Sequence, residues 1–204
     1  TIRIGLPQHE IGLVTTTPMK TTGVSVTRTT EAMNVTGTNF SDWYNPVEGT
    51  VVVDFKGQNT TNTIVYAINN GATNLMRLSC STTNIPAIDI VSSVTQANIT
   101  IVLPGKNPTT RMIDAAGYKQ NDINHALNGI LGLKDTVCDI PVVNSMSIGC
   151  DQNLAGGLQG SIKSIKYLAR RVSDEQLLEL TGDRNLWVGA VLVADKPAIR
   201  IVAV

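Results

Sequence analysis

The chain of 204 residues carries 16 basic and 16 acidic side chains, no net charge, 42% apolar residues and only 4% aromatic ones. That length holds one large β-rich domain with short extensions and leaves no room for two full domains. Neutrality argues against nucleic acid or an anionic membrane as a partner, and neither an apolar run of about 18 residues nor a basic-then-apolar leader occurs, so neither membrane insertion nor a signal peptide is expected.

Residues 1–23 alternate short apolar pieces with Gly5, Pro7, Gly12, Pro18 and Gly23 and read as an irregular N-terminal arm. From Val24 onward short β-favouring segments follow one another at 24–29, 50–56, 63–69, 74–80, 85–91, 98–103, 109–118, 121–127, 145–149 and 158–168. Turn-forming stretches such as Asn69-Asn70-Gly71 and Pro104-Gly105-Lys106-Asn107-Pro108 separate them. Many short strands at this spacing predict a β-sandwich or barrel. The stretch from Asn39 to Phe55 organises the rest: a polar turn with Phe40, Trp43 and Tyr44 runs through Pro46 and Gly49 into Val51-Val52-Val53-Asp54-Phe55. Alternation puts Val51, Val53 and Phe55 on the core face and Val52, Asp54 and Lys56 on the other. Trp43 is expected to anchor the core beneath its loop.

One helix is predicted after residue 173. Ser173 can cap it, Gln176 completes a capping box, Asp174 and Glu175 suit the positive end of the dipole, Gly182 offers a stop, and Leu177, Leu178 and Leu180 supply the buried side. Beyond it, 186–194 and 198–204 are apolar on both alternating faces and predict covered strands. Leu186, Trp187, Val188, Val191 and Val193 are the candidate interface residues, packing against another subunit or against the arm, whose Ile2-Arg3-Ile4 can pair with Ile199-Arg200-Ile201.

Catalytic chemistry is not expected. No strand carries the alternating carboxylates a glycosidase needs; Glu48 reads as a turn-stabilising residue and Asp54 as solvated. The two histidines, His9 and His125, fall in the arm and in a polar hairpin, and His125 reads as a surface or hairpin residue. With scattered Cys and two His a zinc site is not expected, nor is a nucleophile with a His partner or a phosphate-binding loop. Asp122, Asp151 and Asn153 could hold calcium at a rim, but loop Asp and Asn usually make turns, and no metal or cofactor is assigned. Cys80, Cys138 and Cys150 are an odd number and read as buried free thiols of a reducing compartment. Four Asn-x-Ser/Thr sequons match at the rate an Asn- and Thr-rich chain produces by chance.

Three pieces carry a resemblance. Trp43-Tyr44-Asn45 with Glu48-Gly49-Thr50 and the strand after it is similar to the opening of concanavalin A-like (laminin-G-like) jelly-roll domains of bacteriophage tail fibres and other virion proteins. Residues 118–122 with Asn128-Gly129 are similar to a strand and hairpin of those domains. Residues 157–167 followed by 170–177 resemble the closing strand and short helix. The resemblance implies an all-β, concanavalin A-like jelly-roll sandwich with one short C-terminal helix over 24–182, flanked by the arm and by an apolar extension over 183–204. It further implies a non-enzymatic virion protein of a tailed bacteriophage, assembled in the bacterial cytoplasm as a homo-oligomer, a trimer by preference, with other virion proteins as partners. Host-surface polysaccharide would then be the ligand. Tyr44 and Tyr118 are the candidates to stack on sugar rings, and Asn45, Asn121 and Asp122 to hydrogen-bond hydroxyls. The competing implication is a purely structural connector or decoration subunit, and a weaker one is a glycan-degrading enzyme.

Overall fold

The computed structural model describes residues 33–57, 63–80, 86–102, 111–153, 155, 157, 158, 160–182, 200 and 201. They form two six-stranded antiparallel sheets packed face to face. The first, sheet A, has the order β1 (Met33–Thr36), β10 (Ser145–Ile148), β3 (Thr63–Asn69), β4 (Asn74–Cys80), β5 (Pro86–Ser92), β6 (Val94–Thr100). The second, sheet B, has the order β12 (Arg200–Ile201), β11 (Gly160–Leu168), β2 (Glu48–Gly57), β7 (Met112–Lys119), β8 (Asn124–Leu127), β9 (Ile130–Leu131). Helix α1 (Thr38–Ser41) leads into the aromatic turn, and α2 (Asp174–Thr181) follows β11.

Alternation along β2 decides the layering. Val51, Val53 and Phe55, at most 2% exposed, face the core between the sheets with Ile68, Leu78 and Ile90 of sheet A and Leu127 of sheet B. Val52 points the other way, yet is only 6% exposed, because α2 lies there. Leu177 of α2 and Val172 cover Val52, Ile113, Ala115 and Ala126, with Leu178 and Leu180 half-buried against them. The helix starts where the capping box places it: Ser173 Oγ accepts from Gln176 N–H at 3.3 Å, and the Gln176 side chain accepts from Ser173 N–H at 3.2 Å. The part of sheet B beneath α2 is therefore covered on both faces, whereas β11 keeps exposed residues on its outer side.

Burial overturns two expectations. Asp54 is 2% exposed, not solvated, and the Arg111 guanidinium grips both its carboxylate oxygens. His125 is fully buried, not a surface residue. Its pairing opposite Ala116 turns it into the core, where Nδ1 lies 2.7 Å from Asp114 Oδ2. All three cysteines are free and buried.

Other strands shift or appear. β6 starts at Val94, because Ser93 alone, at φ 61°, turns the chain out of β5, so that Ser92 pairs with Val94. β1 and β9, short edge strands, were not predicted. Arg200–Ile201 adds to the edge of β11, pairing Ile165 with Ile201 and Lys166 with Arg200. The arm, the predicted strand at 24–29, the partner segment Ile2-Arg3-Ile4 and Leu186, Trp187, Val188, Val191 and Val193 lie outside the described residues.

Candidate functional site

The structure brings Tyr44, Asn45 and Tyr118 together. Tyr44 stacks on Phe40 at 4.7 Å and on Tyr118 at 6.1 Å, while Trp43 meets Tyr167 edge-on at 4.8 Å. The Tyr118 hydroxyl donates to Asn45 O at 2.7 Å and lies 2.7 Å from the Tyr167 hydroxyl, which accepts from Asn45 N–H at 2.9 Å. The Asn45 side chain donates to Ala169 O at 2.9 Å and accepts from Val47 N–H at 3.0 Å. The two tyrosine hydroxyls pack over Gly49, where an added Cβ would lie 2.6 Å from each. The Glu-Gly-Thr motif thus needs its glycine for a close approach rather than for a turn. At 4% exposure Tyr118 offers no face for a sugar, and burial, with the nearby Tyr44 and Tyr167, holds its hydroxyl far above the usual range. These side chains form an internal latch between the aromatic turn and β11.

Asn121 and Asp122 occupy the β7–β8 turn. Asn121, at φ 58°, exchanges hydrogen bonds with Cys138, its N–H donating to Cys138 O and its Oδ1 accepting from Cys138 N–H, both at 3.0 Å. Asp122 pairs with Lys134 at 2.9 Å and with the buried Arg171 at 3.1 Å. Arg171 also holds Asp174; burial opposes the Asp174 charge, but Arg171, Asn124 and Lys134 keep its carboxyl below the ordinary value. Asp151 caps its own turn, accepting from Asn153 and Ala155 N–H at 2.8 Å each. Among the described residues no cluster of three His, Cys, Asp or Glu side chains occurs.

A different surface collects free polar groups. One register line crosses sheet A from edge to edge: Asn34, Ser147, Ala67, Arg77, Asp89, Asn98. Strand alternation turns these side chains away from the core that Met76, Leu78, Ile88 and Ile90 fill. The line is buried at Ala67 and Ser147 and opens towards β6. There Asp89, 13% exposed, accepts from Arg77 Nε at 3.0 Å, from Ser79 Oγ at 3.0 Å and from Asn98 Nδ2. These bonds fix the guanidinium; the Arg77 side chain is 32% exposed, and its two Nη groups make no hydrogen bond to described residues. Chemically it presents a planar pair of donors at a set angle, beside Asn98. None of the described aromatics lies on this face; all belong to the core or the latch. Between the sheets, the cavity lined by Val51, Tyr66, Met76 and Ile123 is about 20 Å³, room for a water molecule and no ligand.

Arg77, Ser79, Asp89 and Asn98 escaped the sequence reading. The available signal was the polar alternation inside two apolar strands, Arg77 and Ser79 in β4 and Asp89 in β5.

The molecule is a concanavalin A-like, lectin-like β-sandwich. Its fold is similar to the CBM40 of the Ruminococcus gnavus IT-sialidase bound to alpha2,3 sialyllactose, at TM-score 0.56 and 14% identity, over 68% of this chain and 84% of that one. It is also similar to the NanB sialidase of Streptococcus pneumoniae, at TM-score 0.60 and 16% identity, over 73% of this chain but only 26% of that enzyme. A heptameric SAP-like pentraxin of Limulus polyphemus matches at TM-score 0.51 and 12% identity, over 76% and 83% of the two chains. No protein-family profile and no curated protein matches the sequence.

Proposed function

We propose that this chain is a non-catalytic carbohydrate-binding module, that its site is the open end of the sheet A face, and that its ligand is an acidic glycan. The observation that carries the reading is the Arg77 guanidinium, oriented through Asp89 with its two Nη groups unbonded among the described residues. Neutral pyranoses are commonly gripped by stacking on aromatic rings, and this face has none among the described residues. A fixed planar fork instead matches a sugar carboxylate, which accepts two parallel hydrogen bonds from it. Asn98 beside it can serve neighbouring hydroxyls. The CBM40 that shares the fold was solved with a sialyllactose, an acidic sugar, which supports the class of ligand. Described carboxylates such as Asp54, Asp89, Asp114 and Asp122 are engaged by protein groups, which favours binding over hydrolysis.

The module belongs, on this reading, to a surface appendage of a tailed-phage virion, as the sequence resemblance implies, and presents its site to host polysaccharide. The test is binding of the purified chain to immobilised acidic and neutral oligosaccharides. Retention on acidic glycans is expected, weakening as salt rises. Arg77→Ala should lower affinity by about tenfold or more, the weight of a charge-assisted hydrogen bond of about 1.5–3 kcal/mol, with the circular dichroism unchanged. Absence of glycan binding, or binding indifferent to Arg77→Ala, overturns the assignment.

A further inference from the structure

The chain contains two Asn-Gly dipeptides, Asn70-Gly71 and Asn128-Gly129. The first lies between β3 and β4, the second between β8 and β9, and both glycines are left-handed, at φ 77° and 79°. In such a dipeptide the glycine nitrogen can attack the asparagine side-chain amide, because no Cβ stands in the way. The outcome depends on whether the two groups are free to meet.

At the second dipeptide they are held. Asn128 Oδ1 accepts from Ile113 N–H at 2.8 Å, Asn128 Nδ2 donates to Arg111 O at 3.4 Å, and Gly129 N–H donates to Thr181 Oγ1 at 3.1 Å. Electrophile and nucleophile are each tied to a different neighbour, one to β7 and one to the end of α2. At the first dipeptide the glycine nitrogen is not tied among the described residues, and the asparagine side chain is held by one exposed neighbour alone. Residues 70–73 are exposed, and a Cβ placed on Gly71 would meet nothing within 4 Å. Among the described residues Gly71 N–H has no acceptor and the Asn70 side chain makes one bond, accepting from the exposed Asn144 Nδ2 at 3.3 Å.

We propose that Asn70 is a site of spontaneous deamidation, and that α2 and β7 protect Asn128 from the same reaction. The Gly71 nitrogen loses its proton to solvent base and bonds to Asn70 Cγ. The Cγ–Nδ2 bond breaks, the departing nitrogen takes a proton from water, and ammonia leaves a five-membered imide. Water then opens either imide C–N bond, giving aspartate or an isoaspartyl linkage. Each event adds one negative charge to the β3–β4 turn, and the isoaspartyl form adds a main-chain carbon to the hairpin whose second strand carries Arg77. The chain thereby holds a clock in one exposed turn.

The test holds the intact chain at mildly alkaline pH in oxygen-18 water and reads each dipeptide by peptide mass spectrometry. Label is expected at residue 70 and not at residue 128. Asn70→Gln abolishes it, and Thr181→Val, which removes the acceptor of Gly129 N–H while keeping the side-chain shape, opens residue 128. In denaturant both dipeptides should react alike. Equal labelling in the folded chain, an Asn70 that stays intact, or a difference that persists in denaturant would overturn the proposal.

Discussion

Asp114 and His125 are the most costly residues of the core. Both are fully buried on the inner face of sheet B, joined at 2.7 Å, with Asp114 Oδ1 and His125 Nε2 left without a protein partner. A single hydrogen bond does not offset the desolvation of two such groups. His125→Leu should therefore destabilise the chain by about 3–5 kcal/mol, because it leaves the carboxyl alone in an apolar interior, whereas Asp114→Leu together with His125→Leu should be near neutral or stabilising. Denaturant melts of the two single variants and the double one measure this directly, and a double variant as unstable as the worse single one would refute the argument. The residue scale is also where sequence reading failed. A histidine among Asn and Asp looks like a loop residue, yet all four residues of β8 are buried, since sheet A covers one face and the α2 layer the other. Alternation carries information only where one face meets water. Asp54 was misjudged for the same reason.

At the scale of elements, α2 is a local choice with long-range effects. Its eight residues are too few to form a stable helix alone. Its capping box and the burial of Leu177 over Val52 and Ala115 hold it in place. Ser173→Ala should cost about 1 kcal/mol, read as a lower denaturation midpoint with an unchanged slope; an unchanged midpoint would mean that packing alone positions the helix. The helix was fully legible, because cap and stop are chemical signals local to the sequence. Strands β2 and β3 were legible from their β-branched runs, and β4 from its apolar residues between flanking turns. β6 was read to begin at residue 98 rather than at Val94, because its Thr95 and Gln96 are polar residues on a sheet edge, where exposure removes the apolar signal. Arg77, Asp89 and Asn98 become one site only through the registers of three strands, which the sequence does not print. Tyr44, Asn45 and Tyr118 do meet in space, but Tyr118 and Asn45 spend their polar atoms on the latch.

For the molecule as a whole, the chain's four tyrosines link alkaline pH to unfolding. Burial raises Tyr44, Tyr66, Tyr118 and Tyr167 above the ordinary value of 10.0. For Tyr66 the charge of Asp114 adds to burial; for Tyr167 burial prevails over hydrogen bonds from Tyr118 and Asn45 that act the other way. In the unfolded chain each ionises near its ordinary value. Above about pH 10 the unfolded chain has thus released protons that the folded chain retains, so stability is full below that pH and falls as pH rises further. The hydroxyls lie in the latch and in the inter-sheet core, so no single tyrosine can ionise without opening a part of the sandwich that others share. Tyrosinate absorbance should rise in one steep step that coincides with loss of near-ultraviolet circular dichroism. A broad titration near pH 10 in a chain that keeps its dichroism would show that the aromatic turn opens independently, and the latch would then be a flap rather than part of the core.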